Sequence, residues 1–304
     1  MFSSLAPRAA LTLLLVSAAA ACSAPSGADT PDNAPMPTPN PTSMAELHLP
    51  LEAYLQDYGH QAKLEVLRFR LRDRCVKAMG FTPPPMTTTG GRAASDYVKL
   101  WQFYDTRRYA LSDMTTARVY GFHLPPFTGG SAKPISLNSL SVPLQHALEK
   151  CDDQVAAKEK QAGISVGHKE SDLVDVASGL KAKDFLKSQS DPRVLDVFKS
   201  WSSCMAQRGY HYATPQDAAK DQRWTQSGQR SREAIEADVT TEETGTAVAE
   251  VECVYSTNLL GVSFAVEAEY ERNDIEKNAE TLTQLKERTD RDAKKIDELW
   301  VRSG

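Results

Sequence analysis

Five cysteines hold most of the covalent chemistry open to this chain: Cys22, Cys75, Cys151, Cys204 and Cys253. A thiol can be acylated, oxidised to a disulfide, ionised as a nucleophile or bound to a metal, and its surroundings select among these. Cys22 follows "LTLLLVSAAAA", with one positive charge, Arg8, upstream. The apolar run over residues 9–21 is too short and too rich in alanine for a good membrane span, and it ends in small residues. This is the pattern of a bacterial lipobox, in which the cysteine takes a diacylglyceryl group and becomes the mature N-terminus, although leucine is usual where Ala19 stands. The competing reading is an ordinary secretory signal cut near Ala21. Lipid chains anchor because each buried methylene contributes about 0.8 kcal/mol.

Lipidation of Cys22 leaves four cysteines, a number that suits two disulfides in an oxidising compartment. They contain no C-x2-C pair, so a zinc knuckle is not expected. Other chemistry finds little footing. "GISVG" at 163–167 matches a nucleophile elbow around Ser165, but such an elbow needs a buried strand before it, and "DQVAAKEKQA" is polar and helical. His48, His60, His123, His146, His168 and His211 include no H-E-x-x-H and no pair at helical i, i+4 spacing. His123 and His211 each follow a glycine–aromatic pair and belong to helix ends. The charge runs read as solvated faces. No catalytic residue, metal site or cofactor is expected.

The elements that carry the cysteines explain their setting. "CVKAMGF" at 75–81 and "CMAQRGY" at 204–210 share a cysteine, an apolar residue after it, and then glycine and an aromatic ring. Upstream, Val66 and Phe69 match Leu195 and Phe198 at helical spacing from the cysteine. Asp191 and Pro192 supply an N-cap and a first-turn proline for the second copy. Gly80 and Gly209 suit the left-handed residue that ends a helix, with Phe81 and Tyr210 packing back on Val76 and Met205. Each half then carries a second helix with the other cysteine: "VPLQHALEKCDDQV" for Cys151 and "GTAVAEVECVYSTN" for Cys253. Four cysteines allow three connectivities, of which the repeat favours Cys75 with Cys151 and Cys204 with Cys253.

Charged residues make up 25% of the chain, hydrophobic residues 41%, and the net charge is −5. There is no basic field for nucleic acid. Residues 22–45 read as an extended tether, whose proline-rich stretch "SAPSGADTPDNAPMPTPNPTS" at 23–43 reaches roughly 65 Å at about 3.1 Å per residue. Asp113 and Gly121 bracket a short helix over 114–120, and Thr214 and Pro215 start another. Past residue 258 a long charged helical stretch bears Ile275, Leu282, Leu285, Ile296 and Leu299 as an incomplete apolar seam, interrupted by Asn278, Thr289 and Asp292. That seam either packs on its own domain or docks on a partner, and removal of residues 271–304 is expected to leave both modules folded.

"LPLEAYL" at 49–55, "CVKAMGF", "RRYALSD" at 107–113, "YGFHLPP" at 120–126 and "CMAQRGY" together resemble an uncharacterised group of actinobacterial lipoproteins and secreted proteins. The resemblance covers about residues 46–290 and implies no catalytic residue. Glycine is usual after "RRY", where this chain has Ala110. The expected architecture is all-α: a signal peptide over 1–21, a tether over 22–45, helical modules over 46–165 and 166–257 related by a weak repeat, and the long helix over 258–304. The expected function is that of a non-enzymatic lipoprotein on the extracytoplasmic face of the membrane, binding an envelope protein or cell-wall polymer. The alternative is a small-molecule binding lipoprotein serving a transporter, with Trp101, Tyr104 and Trp224 lining a cleft between modules.

Overall fold

Helices in this chain begin and end where side chains or glycines take over the backbone groups that a helix leaves unpaired. The computed structural model describes residues 37–86, 92–125, 135–164, 172–225 and 239–303. The helices are α1 (Tyr58–Ala78), α2 (Ala94–Thr106), α3 (Met114–Tyr120), α4 (Val142–Ala162), α5 (Asp172–Ser188) and α6 (Pro192–Gln207). Two short ones follow, α7 (Pro215–Ala219) and α8 (Gln222–Thr225), and then α9 (Thr241–Ser256), α10 (Leu259–Lys277) and α11 (Ala279–Ser303). Single 3-10 turns lie at Met44–Glu46, Pro50–Tyr54 and Leu137–Ser139. The fold is all-α, with no strand among the described residues.

The expected caps are in place. Asp191 accepts from the Arg193 N–H at 2.9 Å with Pro192 in the first turn of α6. Asp113 accepts from the Thr116 N–H at 2.6 Å, and Thr214 and Asp217 form a reciprocal capping box that opens α7. Gly80 and Gly209 have φ of 83° and 89°. The Phe81 N–H reaches back to the Val76 carbonyl at 3.2 Å, and the Tyr210 N–H to the Met205 carbonyl at 3.0 Å. Gly80 and Gly209 bond to Lys77 and Ala206 in the same way, so both endings are Schellman motifs. Gly163, with φ of 72°, ends α4 by the same pattern.

Each ending leads to a disulfide. Cys75 is bonded to Cys151 and Cys204 to Cys253, both with Cα atoms 5.7 Å apart. Phe81 packs with Leu144, Leu148 and the first disulfide between α1 and α4. Tyr210 places its hydroxyl against Gly245 of α9, where a β-carbon would stand 2.6 Å from it. The aromatic ring after each glycine thus rests on the helix that supplies the second cysteine.

The two halves are woven together. α1 packs on α2, α4 and α11, while α10 packs on α5, α6 and α9. From the first half, α3 lies on α9 and the turn Pro50–Tyr54 lies on α5, α10 and α11. The main core gathers Met44, Leu49 and Tyr109 from the first half with Trp201, Met205, Val254, Leu259 and Leu260 from the second. The boundary expected at 165/166 falls outside the described residues.

The seam of α11 packs on the protein's own core, one of its two expected readings, and this packing argues against removal of residues 271–304 leaving the rest unperturbed. Leu282 and Leu285 pack with Leu51 and Ala177, and Ile296 packs with Leu64, Leu67 and Ile164. Three such side chains contribute about 1.5–3 kcal/mol each by leaving water. The helical stretch is interrupted once, at Asn278, whose side-chain amide donates to the Asp274 carbonyl at 2.7 Å beside its own backbone N–H at 3.1 Å. The tether, expected through residue 45, stops earlier. Pro41 and Met44 are buried, and Ser43 caps the first 3-10 turn by accepting from the Ala45 N–H at 3.1 Å.

Candidate functional site

The densest chemistry in the fold is a row of carboxylates on the inner faces of α9 and α10. Glu243 and Glu250 stand two turns apart on α9; Glu267, Glu271 and Asp274 follow at i+4 and i+7 on α10. Such spacing puts each set on one helical face. That face meets the "LPLEAYL" and "RRYALSD" segments and the glycine turn after α3. Glu243, Glu250, Glu267 and Glu271 are 1%, 0%, 0% and 0% exposed, so none can meet a substrate from solvent.

Each glutamate holds a partner from the first half. Glu271 accepts from the Leu51 N–H at 2.8 Å, Glu250 from the Leu111 N–H at 2.8 Å, and Glu243 from the Phe122 N–H at 2.8 Å. Leu111 and Phe122 lie in non-helical chain and Leu51 in the first turn of the Pro50–Tyr54 3-10 helix, where the N–H groups have no partner within the element, and a buried unpaired N–H is costly. The carboxylates therefore do the work that a neighbouring strand does in a sheet. Gly121 makes the Glu243 contact possible, because a β-carbon there would overlap that carboxylate. Its φ of 56° with ψ of −125° also disfavours any other residue.

Glu267 is held differently. The Arg108 guanidinium donates to it from Nε at 2.9 and 3.0 Å and again from Nη2, and the Tyr109 hydroxyl donates at 2.7 Å. Arg108 also donates to the Lys181 carbonyl at 3.3 Å, tying α5 into the cluster. Arg107 turns the other way and donates to the Phe122 and His123 carbonyls at 2.6 and 3.0 Å. His123 stands 3.4 Å from Glu243. The two adjacent arginines of "RRY" thereby clamp opposite sides of the α2–α3 region.

Burial sets the electrostatics. It pushes the Glu250 carboxyl up to about 8, against the Leu111 N–H and the Arg107 charge that favour ionisation. It raises Glu271 to about 7, with the Glu267 charge adding to the effect and the Leu51 N–H, Lys181 and Arg108 opposing it. Burial brings Arg107 down to about 10 and raises Glu243. At the α5–α10 contact, burial together with the neighbouring Asp274 charge raises Asp184 to about 6. Lys183 bonds to Asp274 there.

The residues singled out from sequence lie elsewhere. Cys22, Ser165 and His168 fall outside the described residues. His48 and Glu52 are 3.8 Å apart at the surface, while His60 contacts Asp57 and stands 3.2 Å from Asp297. His146 and His211 are exposed. Among the described residues no group of three or more His, Cys, Asp or Glu is arranged to hold a metal ion. Trp101 stacks with Tyr58 and Tyr97, Trp224 stacks with Phe122, and Tyr104 is mainly exposed, so these rings belong to separate groups. The carboxylate row escaped the sequence reading because its charges resemble solvated faces. The signal present was the i, i+7 spacing of Glu243 and Glu250 inside an otherwise apolar helix. No family model, curated protein or solved structure matches the chain, so the assignment of this site rests on its own geometry.

Proposed function

We propose that this is a non-catalytic lipoprotein, anchored through Cys22 on the extracytoplasmic face of the membrane, whose helical body binds an envelope protein or cell-wall polymer. The observation that carries the reading is the use of the buried glutamates. Chemistry on a substrate needs a reachable acid, base or nucleophile. Here Glu243, Glu250 and Glu271 each accept from a backbone N–H, and Glu267 accepts from Arg108 and Tyr109. The two disulfides fit an oxidising compartment, in keeping with the reading of residues 1–21 as an export signal. Resemblance to actinobacterial lipoproteins points the same way.

The test has two readouts. The N-terminal peptide of protein isolated from membranes should carry an acyl mass on Cys22, and Cys22→Ala should send protein into the medium or leave an uncleaved precursor. In envelopes cross-linked before extraction, the wild-type chain should bring down a defined protein or a wall fragment. An unmodified Cys22 with unchanged membrane retention refutes the anchor. Turnover of an envelope substrate by the purified body refutes the non-catalytic role.

A further inference from the structure

The corner between α9 and α10 holds the end of the proline-rich segment by two unusual residues. Asn258, the residue before α10, has φ of 52°, the one positive φ outside glycine among the described residues. Asparagine is among the few residues that enter this region readily. Its side chain does not cap α10; its Nδ2 instead donates to the Pro39 carbonyl at 2.9 Å. One turn into α10, Gly261 is buried, and a β-carbon there would overlap the Pro39 carbonyl oxygen. Glycine inside a helix costs about 1 kcal/mol against alanine, so its presence calls for a packing reason. The seated carbonyl supplies one. Beyond Pro39 the chain stays on the body: Pro41 and Met44 are buried, and Met44 joins the main core beside Leu49 and Tyr109.

We infer that residues 39–47 form a strap that latches the end of the proline-rich segment onto the α9–α10 corner, with Asn258 and Gly261 as its seat. The latch sets how far the body stands from whatever holds the N-terminus. Engaged, it begins the folded unit at Pro39. Released back to Leu49, it adds about ten residues, roughly 30 Å at ~3.1 Å per residue when extended. The reach argument rests on the anchored reading above; the seat itself does not.

Hydrogen exchange of the full chain in detergent, followed by mass spectrometry, tests the seat whether or not Cys22 carries lipid. Loss of anchorage is read separately, as protein in the medium. In the wild type, amides over 42–47 should be protected. Asn258→Gly keeps the corner's backbone conformation and removes the donor, while Gly261→Ala favours the helix and blocks the carbonyl. Both should speed exchange over 42–47 by roughly three- to tenfold, the factor that one net hydrogen bond is worth. Amides in the middle of α10 should keep their wild-type rates. If Gly261→Ala loosens α10 itself, Asn258→Gly decides. Unprotected amides over 42–47 in the wild type, or wild-type rates there in Asn258→Gly, overturn the strap.

Discussion

Glu250 illustrates what a single buried carboxyl contributes and costs. It holds the Leu111 N–H, yet its second oxygen is buried without a hydrogen-bond partner. Its pKa in the folded chain, about 8, lies above the ordinary 4.5. The folded state therefore binds more protons than the unfolded state between those values, and stability falls as pH rises through that window. Below pH 4.5 the benefit of the folded proton is complete; above pH 8 it is gone. Glu250→Gln keeps an acceptor for Leu111 and removes the titration. Urea unfolding at pH 5 and pH 8.5 should show the variant losing less stability than the wild type, by an amount on the order of a few kcal/mol. Equal losses would show that Glu250 is not the buried acid. Glu267 accepts instead from the Arg108 guanidinium and the Tyr109 hydroxyl. Glu267→Ala leaves a partly buried guanidinium without its carboxylate and should cost about 3–5 kcal/mol in the same assay.

Among the elements, α11 has the most to lose by removal. Its inner stripe covers Leu51 at one end and Leu64, Leu67 and Ile164 at the other. Its outer face carries exposed pairs such as Glu287 with Arg291, 3.8 Å apart, worth a few tenths of a kcal/mol at most. Deletion of residues 279–303 should therefore abolish cooperative thermal unfolding of the remainder. The milder Leu285→Ala should destabilise by about 2–5 kcal/mol, with the cysteines still paired. An unchanged melting temperature in either variant would mean that the helix is not part of the core. The Schellman endings of α1 and α6 are local devices and were legible in advance, because glycine, the aromatic residue and the cysteine occupy fixed offsets. What each ending packs against across the fold was not legible: neither Leu144 and Leu148 beside Phe81 nor the Tyr210 seat over Gly245 follows from the local pattern.

Across the whole molecule, the disulfides staple pairs of helices while a shared apolar core and the buried glutamates join the halves. Cys75–Cys151 closes a span of 76 residues and Cys204–Cys253 a span of 49. In the chain-entropy picture each bridge stabilises by about 4 kcal/mol. Replacing both cysteines of either pair by serine should lower stability by about that amount, and non-reducing peptide mapping of the wild type should recover these two links alone. A link from Cys75 to Cys204 would overturn the arrangement. Because α3 and the turn Pro50–Tyr54 lie on second-half helices, loss of one bridge should lower the unfolding midpoint of the whole body rather than split the transition in two.

The chain by itself determined whatever depends on neighbours in sequence: the all-α character, the caps at Asp113, Asp191 and Thr214, and the glycine stops, while it only favoured the disulfide pairing among three connectivities. Propensity, capping and periodicity act over a few residues, so they can be read from a single strand of letters. Tertiary structure decided which charged residues are inside. The setting of Glu250 between apolar neighbours differs from that of Glu287, but only the approach of the Leu111 N–H, 139 positions away, makes it a buried acceptor. It also decided that the seam of α11 is occupied by this protein's own helices, and that the Pro39 carbonyl lies over a glycine more than two hundred residues later. Such contacts are fixed by packing between distant segments, which no local pattern encodes.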